Sequence, residues 1–96
     1  MTSQKYKVII DENFHFMDEN ERYRSGGYQT FEDAVNKCKQ ILDEFLTDAK
    51  SVNDTPESLY MTWRMYGENP FVVGGKTSEK FIASEYVENR CVELTS

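Results

Sequence analysis

The chain has 96 residues, a formal net charge of -6 and 14% aromatic residues. That length suits one domain, here taken as residues 1–96, and the aromatic content excludes a disordered chain, because aromatics supply the buried area that offsets chain entropy. Acidity without a compact basic patch argues against a nucleic-acid partner. No stretch nears the ~20 apolar residues of a membrane span, and no apolar run follows Met1, so neither span nor signal peptide is expected and the expected location is the cytoplasm.

Residues 5–10 (KYKVII) alternate, with Tyr6, Val8 and Ile10 on one side and Lys5 and Lys7 on the other. This predicts a half-buried strand. Its parity continues into Phe14 and Phe16, and Met17 to Asn20 reads as a turn. Residues 22–29 (RYRSGGYQ) read as the returning strand, with a bulge or close backbone approach at Gly26-Gly27. From Phe31 the apolar residues Ala34, Val35, Cys38, Ile41, Leu42, Phe45 and Ala49 recur in steps of three and four, which predicts a helix over 31–49. Thr30 stands at its N-cap, with Asp33 where a capping box puts its reciprocal carboxylate.

Thr55-Pro56-Glu57 is a helix start: an N-cap threonine, a proline at the first helical position, then an acid. It favours a helix over 56–66, although L-Y-M-T-W-R-M-Y is strand-prone by residue type. Gly67 to Pro70 should end it, Phe71 to Val73 form a short strand, and Gly74 to Glu79 a loop. Ser84 is placed as the cap of a last helix with the stripe Tyr86, Val87, Cys91 and Leu94. The order is β-β-α-α-β-α: an α+β fold with a small antiparallel sheet of about three strands and helices on one face.

Charge is concentrated in Asp11 to Glu21, which holds five carboxylates, no Lys or Arg, and the only histidine, His15. Such a segment raises the local cation concentration and suits a basic partner. The plainer reading is an exposed hairpin tip, its charge answered by Lys5, Lys7, Arg22 and Arg24 in its own stem. A calcium loop starting at Asp11 fails, because its sixth and twelfth positions are Phe16 and Arg22 rather than Gly and a carboxylate. His15 with Asp11 or Asp18 is a thin transition-metal set, with no second His and no nearby Cys.

Cys38 and Cys91 both fall on apolar helix faces, where a thiol behaves as a small hydrophobe and is inert. Gly74-Gly75-Lys76-Thr77-Ser78 looks like the end of a phosphate-binding loop, but the leading glycine is replaced by Pro70. Trp63, Tyr66, Glu68, Asn69, Pro70 and Phe71 group aromatics beside a polar turn, which can line a pocket or simply complete a small core.

Three segments carry a resemblance: Tyr6 to Glu19 (YKVIIDENFHFMDE), Tyr28 to Leu46 (YQTFEDAVNKCKQILDEFL), and Tyr66 to Phe71 (YGENPF). The chain resembles a group of short, uncharacterised bacterial proteins with an N-F-H-x-M-D-E segment, a helix ending I-x-D-E-F-L, and an F-G-E-D-P-F turn. Here Tyr66 and Asn69 replace the Phe and Asp of that turn. The resemblance implies a free-standing bacterial domain and brings no functional residue with it.

The expectation drawn from all this is a small non-catalytic interaction module. It would act on a protein partner, or a second copy of itself, through the acidic aromatic tip or a sheet edge. Candidate binding residues are Phe14, His15, Phe16, Asp18, Glu19, Trp63 and Glu68. The alternative is a small-molecule or metal-binding protein, an enzyme among the options, with His15 and the Glu68 turn converging on one pocket. No catalytic constellation is complete, and no cofactor, resident metal or membrane partner is expected.

Overall fold

The computed structural model describes residues 6–12, 22–74 and 80–96. The expected order holds: β1 (Tyr6–Glu12), β2 (Arg22–Tyr28), α1 (Phe31–Ala49), α2 (Pro56–Tyr66), β3 (Glu68–Gly74) and α3 (Ala83–Thr95). β1 is the middle strand, antiparallel to both neighbours in the order β2-β1-β3. The two edges are therefore β2 and β3.

The β1–β2 register slips once. Lys7 stands opposite Gly27, but Ile9 stands opposite Arg24, so β2 holds one extra residue between them. This is the bulge expected at the glycine pair, where a glycine relieves the backbone distortion of an unpaired residue. The β1–β3 register is regular, from Tyr6 opposite Gly74 to Glu12 opposite Glu68.

Alternation along β1 puts Val8 and Ile10 on the face that α1 covers, where both are fully buried with Ala34 and Cys38. A second cluster lies among the three helices: Leu42, Leu46, Leu59, Trp63, Ala83, Val87 and Cys91. α1 joins them. Its buried residues Ala34, Cys38, Leu42 and Leu46 recur at every fourth position, so one stripe serves the sheet with its first half and the other helices with its second. Phe81 packs against both clusters. α2 packs mainly on α3 and α1 rather than on the sheet.

Helix starts follow local chemistry at two of three sites. Thr30 Oγ1 accepts from Asp33 N at 3.0 Å. Thr55 Oγ1 accepts from Ser58 N at 3.1 Å, and Ser58 Oγ accepts from Thr55 N at 2.9 Å, so a full capping box starts α2. At α3 the expected cap is corrected. Ile82 holds the cap position with no side-chain hydrogen bond, and Ser84 lies inside the first turn. Ala83 is buried against the helical core, and including it in the helix moves the start ahead of the serine.

β3 also differs from expectation, beginning at Glu68 instead of Phe71. Pro70 lies within it, opposite Ile10. Proline has no N–H to give a ladder, but an edge strand needs bonds on one side only. Gly74 closes the strand with φ 106°, a conformation that glycine adopts without strain. The expected loop beyond it falls, at 75–79, outside the described residues.

Candidate functional site

β1 ends at Glu12 and β2 begins at Arg22, so the acidic segment leaves and rejoins the sheet at one end. At that end Asp11 is opposite Asn69, and Glu12 is opposite Glu68. This register brings acidic positions of β1 and β3 to one end of the sheet. Phe14, His15, Phe16, Asp18 and Glu19 lie outside the described residues.

Glu68 lines an open cleft of about 350 Å³ between the sheet end and α1, together with Lys37, Glu44, Asp48, Ile10, Ile41 and Phe45. The apolar residues form one part of its wall, and three carboxylates face one lysine in the other. Glu44 and Asp48 also border a second hollow on α1, with Asp43 and Thr47. The acidic surface therefore continues from the sheet end along α1. Among the described residues no group of three or more His, Cys, Asp and Glu is arranged to hold a metal ion.

Trp63 is only 3% exposed. Its Nε1 donates to the Glu68 carbonyl oxygen at 2.8 Å, which ties the end of α2 to the start of β3, and its ring packs against Tyr60. The side chain thus belongs to the core and positions Glu68 from behind. Tyr66 is instead 63% exposed.

Both cysteines are free and buried. Burial pushes the Cys38 thiol up to about 12, and burial also raises Cys91. A thiol with so little thiolate is a poor nucleophile and a poor metal ligand. On the α1–α3 seam Asp43 Oδ1 accepts from Tyr86 Oη at 2.8 Å and from Arg90 Nε at 2.9 Å, while Arg90 Nη1 donates to Glu93 at 2.7 Å. Burial, then the Asp43 hydrogen bond, pushes the Tyr86 phenol up to about 12. These groups satisfy one another, and the network reads as a tie between helices.

Lys37, Glu44 and Asp48 were not among the sequence candidates. Their signal was the charged side of α1, which periodicity assigns to solvent; only the fold shows that part of that side borders the sheet end. None of the described helices is long and apolar enough to cross a membrane. No protein-family model, curated protein or solved structure matches the chain.

Proposed function

We propose that the protein is a small non-catalytic interaction module that takes a basic segment of a protein partner at the acidic end of its sheet. The observation that carries this reading is the cleft at the sheet end lined by Glu68, Glu44 and Asp48. Carboxylates gathered along one cleft raise the potential that attracts a cationic partner. The sequence between β1 and β2, which includes Asp18 and Glu19, connects strands at the same end, and β3 is an edge strand of the kind that can pair with a partner's backbone. Half-buried Ile41 and Phe45 supply an apolar wall against which a lysine or arginine stem can lie.

The test uses the immobilised chain as bait in lysate of its source organism, beside a Glu44→Lys/Asp48→Lys variant. A partner with a basic segment should be retained by the native chain and lost from the variant. Retention of the same proteins by both baits contradicts the proposal.

A second reading, a small cationic ligand held by Glu68 with His15, is favoured by the size of the cleft, which is at the low end for ligand pockets. It predicts a rise in thermal midpoint with simple diamines or divalent cations, abolished by Glu68→Gln. Equal midpoints with and without them remove it.

A further inference from the structure

The outer trough between α2 and α3 has a different character. Pro56, Glu57, Tyr60 and Met61 of α2 and Glu88 and Val92 of α3 enclose a groove of about 470 Å³. Met61 is 53% and Val92 54% exposed, far more than apolar side chains at a packed helix seam. Met65, one turn beyond Met61, is 47% exposed and prolongs the strip. Each wall also carries one carboxylate, Glu57 or Glu88, and among the described residues no lysine or arginine lines the groove.

Among the described residues neither glutamate forms an ion pair. An apolar groove with one glutamate on each wall calls for an apolar stripe flanked by positive charge. A trough between two helices has the shape of a third helix laid along it, and methionine adapts its unbranched side chain to whatever apolar anchors arrive. A second copy of this chain fits poorly, because a self-complementary contact would bring Glu57 and Glu88 of both copies together on molecules of net charge -6.

We propose that the α2–α3 groove is a docking site for a basic amphipathic helix of a partner protein. The helix inserts apolar anchors at i and i+3 or i+4 over Met61 and Val92 and sets Lys or Arg against Glu57 and Glu88. The proposal does not rest on the acidic sheet end, which lies on other elements.

Fluorescence anisotropy with a synthetic helix, leucines along one stripe and lysines on both flanks, tests it against the full chain. Binding is expected, with a loss of at least about tenfold in Met61→Gln/Val92→Gln, as for anchor contacts, and a similar loss in Glu57→Gln/Glu88→Gln. A peptide of the same composition, scrambled to break the stripe, should not bind. The Glu44→Lys/Asp48→Lys variant should keep the affinity within about twofold, as for distant independent sites.

In methyl spectra of the unaltered chain, the Met61 and Met65 signals should move on titration with the striped helix and stay with the scrambled one. The proposal is overturned by equal binding of the scrambled peptide, by unchanged affinity in Met61→Gln/Val92→Gln, by loss of binding in Glu44→Lys/Asp48→Lys, or by a static Met61 methyl. It is also overturned if the native chain sediments as a dimer that Met61→Gln/Val92→Gln converts to monomer, because the groove's occupant is then a second copy.

Discussion

Gly67 sits where α2 hands over to β3, with its N–H on the Trp63 carbonyl oxygen at 2.8 Å. Its φ of -85° suits any residue; what it lacks is room. A Cβ there would overlap Cδ1 of the Trp63 indole and stand 2.9 Å from the Trp63 carbonyl oxygen. Gly67→Ala should therefore lower stability by about 1–3 kcal/mol, the range for overpacking, read as a shift in urea midpoint with unchanged slope. Trp63→Phe keeps much of the buried area but leaves the Glu68 carbonyl without its donor, and should cost about 1 kcal/mol or more.

The raised Cys38 and Tyr86 groups make a prediction in alkali. Both are neutral in the folded chain up to about pH 12, against ordinary values of 9.0 and 10.0. The unfolded chain releases these protons first, so the stability they contribute is full below about pH 9 and is lost as pH rises toward 12. Urea midpoints should fall across that interval, and Cys38→Ala should flatten the fall. A decline of the same steepness in Cys38→Ala would place its origin elsewhere.

At the scale of elements, α3 starts without the side-chain cap that α1 and α2 have. Ile82 occupies that position half-exposed, and Glu85 stands three residues on, where a capping box needs its carboxylate. Ile82→Ser should stabilise the protein by about 0.5–1 kcal/mol, whereas Thr55→Ala, which removes the box of α2, should cost about 1 kcal/mol. Equilibrium unfolding of the two variants beside the native chain measures both.

The same elements show what was legible in the chain. α1 announces itself because its buried residues recur at a constant step and Thr30 caps them, both local facts. α2 is readable from Thr55-Pro56-Glu57, although Ser58, which completes its box, attracts no notice as a serine among polar residues. The Gly26-Gly27 pair marks the β2 bulge in advance. β3 is under-read because Pro70 is a breaker everywhere except on an edge, and edge status depends on strand order, which is not a local property. α3 begins early because Ala83 finds a buried place among residues from three helices. The cleft was legible only through Glu68: Glu44 and Asp48 lie more than one element away, and periodicity separates wet from dry sides of a helix without saying which wet side meets the sheet.

At the scale of the molecule, one helix stripe couples two apolar clusters, and charge is distributed unevenly around them. Among the described residues, the sheet end and the adjoining flank of α1 gather Glu68, Glu44 and Asp48 around Lys37, while the α1–α3 seam answers its own charges through Asp43 and Arg90. The seam pair is partly exposed, and its contribution is discounted by solvent accordingly. Breaking it with Arg90→Gln should lower stability by less than about 1 kcal/mol and leave partner binding unchanged. A charge paired at a helix seam stabilises the fold, and carboxylates that line an open cleft are accessible to a partner.

The central claim is that the carboxylates lining the cleft at the sheet end, Glu44 and Asp48 above all, recruit a basic segment. The most direct measurement is the dissociation constant of the recovered partner for the native chain and for Glu44→Lys/Asp48→Lys, across rising salt. The account predicts native binding that weakens steadily as salt screens the contact, and a variant that binds much more weakly at low salt with little further salt dependence. A native affinity indifferent to salt, or a variant that follows the native curve, would contradict it.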